Sequence, residues 1–104
     1  MKRIMYIENK TDAPDGAGRI GLVELSKSKS TYKYKGKSLK KVRGYKYNCI
    51  CEETGEEFWV SGPKKNGQDK LYGGIVEIDD DVREEYWITI RNLPENKNKI
   101  SYRS

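Results

Sequence analysis

The chain has no histidine, two cysteines, three prolines and one phenylalanine among its 104 residues. Without histidine there is no ordinary general base near neutral pH, no serine–histidine or cysteine–histidine pair, and no imidazole ligand for a metal. Cys49 and Cys51 are too few for a disulfide-stapled secreted scaffold, and a bridge between residues two apart is strained. As thiolates they supply half of a tetrahedral zinc shell with nothing to complete it. Buried, reduced thiols are the expectation, with a reactive pair or an intermolecular metal site as the alternative. Long apolar runs are missing too: the start, MKRIMYIENK, is far short of a signal-peptide core or a membrane span. A soluble, cytoplasmic protein with no membrane partner, no cofactor and no metal is expected.

What the chain does have is aromatic bulk and charge. Apolar residues make up 35% and charged residues 36%, and eight tyrosines and two tryptophans supply much of what can be buried. That suits one small, aromatic-rich core. The formal charge of +5 is unevenly spread. Ser26 to Tyr47 holds nine basic residues and no acid, whereas Glu77 to Glu85 holds six acids against Arg83. The two segments either make the surface two-sided or neutralise each other across the fold.

Alternation and turn chemistry predict a β-rich order. RIMYIE (3–8), RIGLVELS (19–26) and TYKYK (31–35) read as strands, and the composition of residues 9–18 reads as a loop. KSLKKV (37–42) reads as a short edge strand, guarded by its lysines. Around Thr54-Gly55 two alternating runs form a hairpin, with Tyr45, Tyr47, Cys49 and Cys51 sharing the core face. After the brief strand IVEI (75–78) the period changes. Val82, Tyr86, Trp87 and Ile90 fall on one face at helical spacing, Asp80 or Asp81 is placed to cap the start, and Pro94 follows the end. The expected fold is α+β: a mainly antiparallel sheet or a small SH3-like or OB-like barrel, with one C-terminal amphipathic helix over about 80–91. Residues 1–95 form a single β-rich domain in this reading, and 96–104 a polar, flexible tail.

Two glycine motifs invite a nucleotide reading, and both fail on context. Gly62 and Gly67 have the G-x-x-x-x-G spacing, but Gln68 and Asp69 stand where a phosphate-binding loop needs lysine and a hydroxyl, and a strand follows instead of a helix. Gly16, Gly18 and Gly21 match G-x-G-x-x-G, yet LVELSKS has strand alternation and the ribose-binding acid is missing. The acids Asp79, Asp80, Asp81, Glu84 and Glu85 could bind a divalent cation, but at a helix start they serve first as caps and solvated face. The sequence carries no complete catalytic constellation, so no enzyme is expected.

The basic, tyrosine-interleaved stretch over 27–46 is the strongest positive feature. Lysines neutralise phosphates and tyrosine faces stack on bases, so the expected function is binding of an anionic partner, foremost nucleic acid. The residues expected to carry it are Lys33, Lys35, Lys37, Lys40, Lys41 and Arg43, aided by Lys64, Lys65 and Lys70 of the 62–74 loop. Alternation equally allows Tyr32, Tyr34, Tyr45 and Tyr47 to be core residues with lysines as their solvent-facing neighbours. One alternative is a protein-interaction module that docks an acidic protein through Trp59 or Trp87. Another is a pocket for a small phosphorylated ligand at the 62–74 loop.

Four blocks carry a resemblance: KRIMYIENK (2–10), GRIGLVELSKS (18–28), ETGEEFWVSGPKKNGQDKLYGG (53–74) and VEIDDDVREEYWITIRNLPE (76–95). Together they resemble a family of small, functionally uncharacterised bacterial proteins of about this length. Members of that family sometimes bear the automatic label deoxyxylulose-phosphate synthase. A chain of 104 residues without histidine is far too short for a thiamine-diphosphate enzyme. The resemblance implies a shared structure and no catalytic residues.

Overall fold

Six strands close into an antiparallel barrel, and two more extend its sheet outside. The structure is a computed structural model that describes residues 1–11 and 17–104. Residues 12–16, part of the loop expected over 9–18 and including Gly16 of the glycine motif, lie outside the described residues. The barrel strands are β1 (Lys2–Asn9), β2 (Gly18–Leu25), β3 (Thr31–Tyr34), β4 (Lys37–Lys41), β5 (Cys49–Cys51) and β6 (Glu57–Ser61). Each pairs with the next, and β6 returns to β1, an up-and-down order that leaves the barrel itself without edges. The α+β barrel class expected from the sequence is the class observed. KSLKKV, however, is no edge strand: β4 lies between β3 and β5, with Leu39 pointing inward and fully buried. Its lysines decorate the barrel's outside and ends instead of guarding an edge.

The period-2 alternation of β1 and β2 feeds two cores. Met5, Ile7 and Val23 point into the barrel with Tyr34, Leu39, Cys49, Cys51, Phe58 and Val60. Tyr6 and Ile20, one residue out of phase, face outward into a second cluster with Val76, Ile78, Val82, Tyr86, Trp87 and Tyr102. That outer cluster is roofed by β7 (Ile75–Ile78), β8 (Ser101–Arg103) and a helical segment over 80–90. β7 runs parallel to the first half of β2, and β8 pairs antiparallel with β7.

The helical segment is built from a 3-10 turn (Asp80–Val82), an α turn (Arg83–Glu85) and a π turn (Tyr86–Ile90). Val82, Tyr86 and Trp87 are buried as the helical spacing predicts. The wide π turn, seen in the Arg91 N–H to Tyr86 carbonyl bond of 3.0 Å, narrows the angle between Tyr86 and Trp87 so that both rings face the core. Neither Asp80 nor Asp81 caps it. Asp79 holds the N-cap position, but its side chain is engaged elsewhere. No helix among the described residues is long and apolar enough to cross a membrane.

The expected polar tail is also corrected, because residues 101–103 form β8 and Tyr102 is buried. Tyr102 stacks on Tyr86 with ring centroids 5.5 Å apart, and it donates its hydroxyl to Asp69 Oδ2 at 2.6 Å. One aromatic anchor outweighs its polar neighbours. The Thr54-Gly55 hairpin is present, with Cys49 opposite Phe58 and Gly55 at a φ of 78°. Its first strand begins at Cys49, so Tyr47 is only half-buried and Tyr45 is fully exposed.

Candidate functional site

The lysines of the basic stretch separate into two groups according to the strand ends that carry them. Lys40 and Lys33 stand on the outer face of β4 and β3, where Lys40 is flanked by Thr31 and Ile50, and Lys33 faces Glu24 in register. Lys41 ends β4, and its ammonium lies 4.8 Å from the centre of the Tyr32 ring. Its amide bonds to the Ser30 carbonyl at 2.9 Å, which brings the end of β4 against the β2–β3 turn that bears Lys27 and Lys29. A bond from the Val42 amide to the Asn48 carbonyl pinches off the next loop, leaving Arg43, Tyr45 and Lys46 exposed. Gly44 permits the pinch, since a Cβ there would meet the Tyr47 carbonyl oxygen at 2.5 Å. Among the described residues Lys33, Lys40, Lys41 and Arg43 have no ion-pair partner within 4.0 Å.

Lys35 and Lys37 belong to the other end of the barrel. Tyr34 and Lys37 close a two-residue turn in which Lys35 and Gly36 both take positive φ, 47° and 80°. The turn puts the Lys35 ammonium 3.3 Å from Asp79 and the Lys37 ammonium 3.7 Å from Glu56. Asp79 is the centre of this end. It accepts from Arg19 Nε at 2.9 Å, Arg19 Nη2 at 2.6 Å and the Tyr34 hydroxyl at 2.5 Å. Burial works to raise the Asp79 carboxyl, but the bonds from Tyr34 and Arg19 and the guanidinium charge hold it below the ordinary carboxylate range. Arg19 is in turn pushed up, chiefly by its hydrogen bond to Asp79. Gly21 leaves the room for this clamp, because a Cβ there would stand 2.5 Å from the Tyr34 ring and 2.6 Å from Asp79 Oδ2. Gly18 and Gly21 thus lie in a strand, where a dinucleotide-binding motif would need a turn opening a helix.

The 62–74 loop does not offer its lysines together. Asp69 turns back into it and accepts from the Lys64 amide at 2.7 Å, so the loop's own carboxylate occupies the amide that a phosphate would use. Lys64 and Lys65 are exposed, whereas Lys70 is buried, its alkyl chain packed on Gly74. Lys70 is therefore withdrawn from the expected anion-binding set. Trp87 leaves the set of interaction aromatics for the same reason: it is buried in the outer cluster, and its Nε1 donates to the Lys99 carbonyl at 2.9 Å. Trp59 is half-buried against that cluster. The Asp79 clamp was missed from sequence because its partners lie on β2 and β3. The visible signal was the position of Asp79 directly behind the alternating IVEI strand, which extends the pairing to the Ile20 carbonyl.

Comparison of the chain with family models, with curated proteins and with solved structures returns no match.

Proposed function

We propose that the chain is a non-enzymatic module that binds single-stranded nucleic acid along the end of the barrel formed by the β2–β3 turn, the end of β4 and the 42–48 loop. The observation that supports this reading is a set of exposed cations without ion-pair partners among the described residues, Lys40, Lys41 and Arg43, beside the fully exposed ring of Tyr45. Lys33, Lys27, Lys29 and Lys46 extend the strip. Ammonium and guanidinium groups replace the counterions of a phosphate backbone, and an exposed phenol ring stacks on a base whatever its identity. Lys35 and Lys37 belong to a different neighbourhood, where Asp79 and Glu56 already balance them.

The test is fluorescence anisotropy of labelled oligo-dT and oligo-rU over a salt series from about 50 to 200 mM. Binding that weakens steeply with salt and differs little between the two polymers is the expected result. Flat anisotropy at the lowest salt ends the proposal.

A further inference from the structure

The end of the barrel opposite the basic strip opens into a cavity of about 310 Å³. Its floor is apolar, made by Ile7, Phe58 and Tyr34, and its rim carries Arg19, Lys35 and Lys37. Two rim cations stand over floor rings: the Lys37 ammonium is 5.4 Å from the Phe58 centroid, and that of Lys35 is 5.5 Å from the Tyr34 centroid. Open barrel ends are a usual place for a small-molecule site, and this volume lies at the low end of such sites, about 300–1,000 Å³. At roughly 30 Å³ per water it equals some ten waters, room for a single-ring molecule.

We propose that this mouth binds a small aromatic or alicyclic monoanion, its ring on Ile7, Phe58 and Tyr34 and its acid group at Lys35 and Lys37. The charge arrangement selects the sign. Asp79 is buried and spent on Arg19 and Tyr34, so it does not repel an anion entering from solvent. The Lys35 and Lys37 side chains are 58% and 42% exposed, and their ion pairs are 3.3 and 3.7 Å long. Such contacts are weak in water, so either ammonium can turn from its protein carboxylate to a ligand's: Glu56 is left to solvent, and Asp79 keeps Arg19 and the Tyr34 hydroxyl. Among the described residues that line the cavity the charged ones are Arg19, Lys35 and Lys37. The carboxylates paired with them, Glu77, Asp79 and Glu56, lie outside the lining, so a ligand in the cavity meets the cations first. The mouth shares no residue with Lys40, Lys41 and Arg43, so it stands or falls apart from the nucleic-acid reading.

The experiment uses NMR and calorimetry on the full chain with benzoate, benzenesulfonate and cyclohexanecarboxylate, and with benzylamine and benzyl alcohol as controls. Saturable shifts of the Ile7 methyl and the Phe58 and Tyr34 ring signals are expected with the three anions, and none with benzylamine. Lys37→Gln and Lys35→Asn each lower anion affinity about tenfold, as loss of a charge-assisted hydrogen bond does. Asn is chosen at Lys35 because it tolerates the positive φ there. Ala17→Trp, which fills the mouth from its edge, abolishes the shifts, while Lys40→Gln leaves them unchanged. No anion response at these signals, equal binding of benzylamine, or unaltered affinity in both lysine variants overturns the proposal.

Discussion

The Tyr34 hydroxyl donates to Asp79 Oδ2 at 2.5 Å across 45 residues of sequence. It ties the barrel interior to the N-cap position of the helical segment, so the two cores share one polar joint. Removing the hydroxyl leaves a buried carboxylate oxygen without its closest donor. Tyr34→Phe is expected to destabilise the fold by about 1.5–3 kcal/mol, the range for hydrogen bonds to charged groups. Chemical denaturation at neutral pH measures it, and an unchanged midpoint contradicts the role given to the joint.

The same pair sets limits on both sides of the pH scale. The folded-state carboxyl of Asp79 is lowered from 3.8, so its contribution is complete above that value and is lost as the pH falls through the lowered one. Tyr34 is raised from 10.0, first by burial and then by its bond to Asp79, so its contribution is complete below 10.0 and is lost as the pH rises through the raised value. Stability against pH should therefore show a plateau with an acid and an alkaline limb. Asp79→Asn flattens the acid limb only in part in a urea titration series, because hydrogen bonds from Ser38 and from Asn9 also hold Glu53 and Glu56 below the ordinary carboxylate range. Tyr34→Phe flattens the alkaline limb only in part, because burial and Asp69 also push Tyr102 upward.

Nucleic-acid binding through the strip carries a numerical signature. Each cation that displaces a counterion from a single strand contributes about 0.7 to the slope of log affinity against log salt. The double variant Lys40→Gln/Lys41→Gln is expected to reduce the slope by about 1.4, whereas Lys64→Gln/Lys65→Gln leaves it within error. Equal losses from both pairs would mean that the binding is spread over the whole surface.

Tyr102 offers the sharpest test of the C-terminal strand. Its ring lies against Tyr86 and Trp87, and the Arg91 guanidinium sits 5.1 Å from its centroid. Tyr102→Ala should cost about 3–5 kcal/mol, as other buried aromatic truncations do. A solvent-dangling tail would tolerate the change, so a shift below about 1 kcal/mol in the unfolding midpoint refutes the docked strand.

The thiols make a prediction of their own. Both cysteines are buried between strands, and burial pushes the Cys49 thiol up to about 11, with the Lys41 charge opposing it slightly. Alkylation by iodoacetamide at pH 8 is expected to be negligible for the folded chain and rapid in denaturant. Prompt labelling of the native protein would show that the barrel wall opens at β5.

Much of this architecture is readable in residue order, for local reasons. Met5 and Ile7 against Tyr6, Cys49 and Cys51 against Ile50, and Val82 with Tyr86 each show their period within a few positions. The parallel pairing of β7 with β2 has no such local trace, because it depends on contacts some 58 residues apart. The candidate site divides in the same way. Lys40 is exposed as alternation around Leu39 implies, and Lys41, two residues on and on the same face as Leu39, is exposed because β4 ends there. The withdrawal of Lys35 and Lys37 into ion pairs, however, needs Asp79 and Glu56, which arrive from other strands. Lys70 was misplaced because nothing in NGQDKLYGG marks the packing of its alkyl chain over Gly74.

β2 closes the barrel with β1 and β3 and, through its first three residues, also carries β7. A strand shared by both layers cannot detach from one while the other stays formed. Melting should accordingly be all-or-none, with the β2 amides among the last to exchange their hydrogens, and the outer layer has no folded existence apart from the barrel.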